Sequence, residues 1–221
     1  MARIRIFTGH FGSGKTEIAL NYAVKLAKKR ERVCVVDMDI VNPFFCSRDV
    51  GFELKNQGIR LISAQPSLAN AELTVIPPEV MAIFNDPSYE VVVDVGGDDV
   101  GAVALGQFNR YFQAEPYDMY FVINKNRPLT STREGVVEYI QSIETASRLK
   151  VTHLISNTNM SYETTAEDIL MGDGFVSELA AELHIPHSYT VCRRDLKSEI
   201  EGRARGEVCA IDIFMKAPWV M

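Results

Sequence analysis

Gly9-His10-Phe11-Gly12-Ser13-Gly14-Lys15-Thr16 is the stretch whose reading decides the fold. It satisfies G-x-x-x-x-G-K-[ST], a loop that wraps phosphate groups in main-chain amides. Ile4-Arg5-Ile6-Phe7-Thr8 precedes it, an alternating β-branched run that predicts a strand. Thr16 to Arg30 follows, with Ile18, Ala19, Tyr22, Ala23, Leu26 and Ala27 on one helical stripe. Glycines allow the backbone to curl so that N–H groups converge on phosphate oxygens, and the positive end of the helix dipole points at the same place. Gly12, Ser13, Gly14, Lys15, Thr16 and Glu17 are therefore the expected phosphate-contacting residues. Lys15 is expected to reach the outer phosphates and the Thr16 hydroxyl to hold Mg²⁺.

Two further strand ends carry carboxylates. Arg32-Val33-Cys34-Val35-Val36-Asp37 is an apolar run of the kind buried in parallel sheets, and it leads into Asp37-Met38-Asp39. Ligands of open α/β sheets sit at the carboxyl ends of strands, so both acids are expected at the nucleotide. One of Asp37 and Asp39 is expected in the metal shell, holding a Mg²⁺-bound water, and the other is expected to orient the attacking water. Tyr89-Glu90-Val91-Val92-Val93-Asp94-Val95-Gly96-Gly97 is the second such strand, ending in D-x-x-G. Asp94 is expected to bind Mg²⁺ through water, and the Gly97 N–H to meet the terminal phosphate. Asp98 and Asp99 are placed to cap a helix over 100–112.

The remaining chain alternates strands and helices. Strands are expected at 58–62, 117–124, 151–157 and 187–191, and helices at 77–84, 131–149 and 163–183. The last helix is expected to be interrupted at Gly172-Asp173-Gly174. Residues 63–76 receive no assignment, and Pro43-Phe44-Phe45 reads as core packing or as a switch segment. Asn124-Lys125-Asn126-Arg127 is similar to a guanine-reading N-K-x-D loop, except that Arg127 replaces the acid; a guanidinium has no acceptor for the base edge. Asn157 closes its strand with both a donor and an acceptor, which suits an adenine edge or a simple turn. His184 and His187 flank Ile185-Pro186, a spacing poorly suited to zinc, and Arg193-Arg194 reads as a solvated pair. The apolar tail from Val208 to Met221 is expected on the domain edge.

One doubly wound, mostly parallel α/β sheet flanked by helices, spanning 1–221 as a single nucleotide-binding domain, is the predicted architecture. The 221 residues carry 47% hydrophobic and 24% charged residues, ordinary for a globular protein. A formal charge of −6 argues against direct nucleic-acid binding. The four cysteines are scattered, no apolar run approaches a membrane span, and no signal peptide precedes the first strand, which predicts a cytoplasmic location.

Taken in order, Gly9–Thr16, Val35–Asp39, Val92–Gly97 and Ile155-Ser156-Asn157 resemble the MinD/ParA/CobQ-type P-loop ATPases. The resemblance implies ATP and Mg²⁺ as ligands, Asp39 as the water-activating residue and Asn157 as the adenine reader. It also implies a nucleotide-sandwich homodimer that switches a protein partner. His10 stands where that family carries its signature lysine, and Phe11 where it carries glycine. Three other functions stay open: an ATP-dependent ligase resembling dethiobiotin synthetase, a metal-insertion GTPase, and a nucleotide-binding scaffold without turnover.

Overall fold

The computed structural model describes residues 2–39, 50–63, 78–97 and 99–215. Its centre is β1 (Ile4–Thr8), every residue of which is buried. On one side lie β4 (Glu90–Val95), β2 (Val33–Met38) and the edge strand β3 (Ile59–Ser63). On the other lie β5 (Tyr117–Ile123), β6 (His153–Ser156), β7 (His187–Arg193) and the second edge strand β8 (Glu207–Ile211). The eight strands run in the order β3-β2-β4-β1-β5-β6-β7-β8, and every pairing is parallel. Such a sheet must be covered on both faces, which is why the central strands read as near-continuous apolar runs.

One face packs α3 (Pro78–Asn85), α4 (Asp99–Gly106), α5 (Asn109–Ala114), α6 (Arg133–Ser147) and α7 (Ala166–Leu183) over Ile4, Ile6, Val91, Val93, Met119 and Phe121. The other packs α1 (Lys15–Ala27) and α2 (Gly51–Asn56) over Phe7, Val33, Val35, Val92, Tyr120 and Val122. Alternate residues of one strand thus serve opposite cores, as the two-residue strand period requires. The chain moves from β1 out to β3, returns to β4, then crosses to β5, so winding reverses beside β1. The carboxyl ends there form the crevice in which ligands of such sheets bind.

Two expectations change. The predicted helix over 100–112 is two helices, α4 and α5, separated at Gln107-Phe108. Helix α7 runs unbroken through Gly172-Asp173-Gly174. Gly172 is required by packing, since a Cβ there would lie 2.0 Å from the Thr158 Oγ1. The buried Asp173 carboxylate accepts hydrogen bonds from the Thr190 hydroxyl (2.6 Å) and from the Arg205 and Gly206 N–H groups (2.9 and 3.0 Å). It thereby anchors the turn into β8, the strand that the apolar tail hides. Asp173→Ala is expected to cost about 3 kcal/mol in a urea melt, because three donors, two of them buried, lose their acceptor; a loss below about 1 kcal/mol would contradict the anchoring role. The Phe44-Phe45 reading, the Asp98 cap and nearly all of 63–76 fall outside the described residues.

Candidate functional site

Helix α1 begins without a cap. Gly14 occupies its N-cap position in a left-handed conformation (φ +85°), and no side chain accepts from the first N–H groups. Helices α6 and α7 are finished differently: Thr132 accepts from the Gly135 N–H, and Thr165 forms a capping box with Asp168. An uncapped first turn leaves donors available to an anion, and the dipole adds positive potential. The Ser13 N–H closes a tight turn onto the His10 carbonyl (3.0 Å), and Gly12 (φ +73°) is also left-handed.

Carboxylates and one lysine gather below this loop. Lys15 is buried, and its Nζ lies 3.4 Å from Asp39 Oδ2. Asp37 and Asp94 are register partners on β2 and β4, and the Asp39 N–H donates to Asp37 Oδ1 at 3.0 Å. Asp94 is fully buried, and among the described residues neither of its oxygens meets a donor at bonding geometry. Burial pushes its pKa up to about 7; the nearby Lys15 cation and Thr16 hydroxyl pull it down, while Asp37 and Asp39 push it up. An unpartnered buried carboxylate calls for an explanation, and a divalent cation beside Thr16 and Asp94 supplies one. Among the described residues no three carboxylate, imidazole or thiol groups form a complete metal cluster.

Gly97 is packed against the start of the phosphate loop. A Cβ on it would lie 2.6 Å from the Gly9 carbonyl oxygen and 2.7 Å from the Phe11 nitrogen. The Tyr139 hydroxyl from α6 donates to the Gly97 carbonyl, and the same ring meets His10 edge-on at 5.4 Å. Partial burial lowers the His10 pKa, with the Arg127 and Lys15 cations acting the same way against a raising main-chain hydrogen bond at Phe11.

The loops after β5 and β6 both reach back to the phosphate loop. Asn157 is buried and donates from Nδ2 to the Ser13 carbonyl at 2.7 Å. Arg127 donates from Nε to the Gly12 carbonyl at 3.1 Å. The Arg127 guanidinium is thus directed at the phosphate loop, and the position offers no acceptor to a guanine edge. Glu17 is turned elsewhere: its carboxylate accepts from the Phe214 and Met215 N–H groups, while Asn21 exchanges hydrogen bonds of 2.8 Å with the main chain of Asp212. It straps the segment after β8 to α1, an assignment different from phosphate contact.

No family model and no curated protein matches this sequence. Solved structures do. FtsY from Mycoplasma mycoides aligns with a TM-score of 0.54 at 18% identity, over 84% of this chain and 58% of that one. A nucleotide-binding protein from Archaeoglobus fulgidus in complex with ADP, with Co found, aligns with a TM-score of 0.52 at 19% identity, over 89% of this chain and 85% of that one. The fold is that of P-loop nucleoside triphosphatases.

Within this P-loop fold, the residues at the carboxyl ends of β1, β2 and β4 are brought together as the sequence led one to expect: Lys15, Thr16, Asp37, Asp39 and Asp94. The sequence marks Arg127 only as a departure from a guanine-reading loop and does not single out Tyr139; their partners lie 115 and 42 residues away. His184 and His187 do not converge: His184 bonds to the Ala181 carbonyl and His187 to the Ser177 hydroxyl, each at 2.8 Å. Arg193 and Arg194 pair with Asp195 and Asp212. No helix among the described residues is long and apolar enough to cross a membrane.

Proposed function

We propose that the chain is a Mg-ATP-binding P-loop ATPase of the MinD/ParA/CobQ type that hydrolyses ATP to switch its interaction with a protein partner. The observation that carries this reading is the juxtaposition of an uncapped amide cradle, a buried lysine and a buried carboxylate that lacks a donor. Lys15 would leave Asp39 for the outer phosphates and offset the charge that develops on them. Thr16 and Asp94, with Asp37 beside them, would hold Mg²⁺, which would supply positive charge to offset that of the phosphates. Asp39, relieved of Lys15, would orient water for in-line attack. Asn157 keeps one amide N–H and its carbonyl oxygen for a purine edge after its bond to Ser13. The ADP held by the Archaeoglobus protein favours adenine by analogy.

The test is a titration with ATP and GTP, with and without Mg²⁺, together with phosphate release and measurement of molecular size. ATP is expected to bind at least about tenfold more tightly than GTP, with Mg²⁺ required for turnover and the dimer favoured by Mg-ATP. A preference for GTP would overturn the Asn157 assignment. Tight binding without phosphate release would leave a scaffold, and turnover only with an added small acid would mark a ligase.

A further inference from the structure

Two consecutive carbonyls of the phosphate loop are held from outside by side chains of two different loops. Gly12 O is taken by Arg127 and Ser13 O by Asn157. A trans peptide points its C=O and N–H in opposite directions. A clamp on the Gly12 carbonyl therefore sets the plane of the Gly12–Ser13 peptide, and a clamp on Ser13 sets the plane of Ser13–Gly14. Each N–H is turned away from its clamp: the Ser13 N–H, opposite Arg127, closes the turn onto the His10 carbonyl (3.0 Å) and so fixes the curl of the loop, while the Gly14 N–H is turned away from Asn157.

Both clamps are pressed against glycine. A Cβ on Gly12 would lie 2.8 Å from the Arg127 Cζ, and one on Gly14 would lie 2.3 Å from the Asn157 Nδ2. Left-handed backbone requires glycine at both positions, and at Gly14 the close approach of the short, buried Asn157 side chain adds to that requirement.

Arg127 is delivered by a rigid turn, although its own side chain is exposed. Asn124, fully buried at the end of β5, accepts from the Asn126 and Asn159 N–H groups through Oδ1 and donates from Nδ2 to the Asn159 carbonyl. Its own carbonyl accepts from the Arg127 N–H (3.0 Å) and the Thr130 hydroxyl (2.7 Å). Lys125 N–H donates to the Thr158 hydroxyl. The β5–α6 and β6–α7 loops are therefore joined into one scaffold that grips the phosphate loop at two adjacent points.

We infer that Arg127 is a positioning residue for nucleotide binding: it presets the peptide planes of the phosphate loop from outside, with Asn157 as its neighbour on the next carbonyl. The inference rests on the nucleotide-binding reading above. A preset loop lowers the cost of ordering on binding, and it does so for any ligand that fills the loop. Its effect should therefore be the same for nucleoside di- and triphosphates, and should appear in affinity rather than in the chemical step.

Arg127→Ala and Arg127→Lys test this by titration with Mg-ADP and with a non-hydrolysable Mg-ATP analogue, at a temperature where all variants are folded. The alanine variant is expected to bind both ligands roughly tenfold more weakly, with kcat for ATP changed less than about threefold. The melting temperature of the nucleotide-free protein is expected to move by no more than about 2 °C, since Arg127 is exposed. Lysine keeps a donor and the charge, and is expected to recover most of the lost affinity. Unchanged affinity in the alanine variant would overturn the clamp, as would a loss confined to the triphosphate, which would mean direct contact with the terminal phosphate. A lysine variant no better than alanine would also count against it. If the wild-type chain bound neither nucleotide, the functional reading itself would fail; wild-type binding matched by the alanine variant defeats the clamp alone.

Discussion

Lys15→Ala is expected to lose nucleotide binding, with affinity for Mg-ATP at least about 100-fold weaker and no measurable phosphate release. Lys15 is the cation buried among Asp37, Asp39 and Asp94. Without it, a triphosphate entering the loop would meet three carboxylates and no buried positive charge, at a depth where water screens little. The loss should be larger than for removal of a surface cation, because the charge removed is buried, even though the ion pair with Asp39 at 3.4 Å competes with phosphate for it. A variant that bound and hydrolysed ATP like the wild type would defeat the assignment of the loop.

Asp39→Ala should behave in the opposite sense. Its N–H bond to Asp37 belongs to the main chain and survives the substitution. Lys15 would lose its resting partner and become more available to phosphate, so ATP affinity should be retained within about threefold or improve slightly. Hydrolysis should fall by about 10² to 10⁴, the usual range for loss of a group that orients or deprotonates the nucleophile. Single-turnover phosphate release beside equilibrium binding separates the two effects. Loss of binding in this variant would instead make Asp39 part of the metal shell or of the structural frame.

How legible each residue was follows from the range of the interaction that places it. Lys15, Thr16, Asp37, Asp39 and Asp94 each close a strand or open a helix within a recognisable local pattern, and parallel packing then brings those strand ends together. Asn157 was singled out for a base edge because it ends a strand; its bond to Ser13 spans 144 residues and no local pattern contains it. Glu17 looked like a phosphate neighbour by adjacency, yet it sits on the first turn of α1 facing the segment that returns after β8, 198 residues later for Met215. Gly172-Asp173-Gly174 carries the composition of a break, but tertiary contacts at Thr158, Thr190 and Gly206 keep the helix continuous there. Strand β8 was concealed because a short edge strand needs only one partner and shows little alternation.

By itself the sequence determined the phosphate loop, its flanking strand and helix, and a parallel α/β sheet, because backbone permissiveness at glycine and the periodicity of apolar residues are properties of neighbouring residues. Only the tertiary structure decided how that loop is held. The donors that grip Gly12 and Ser13 come from the ends of β5 and β6, and nothing short of the assembled sheet brings a guanidinium and an amide within reach of two adjacent carbonyls.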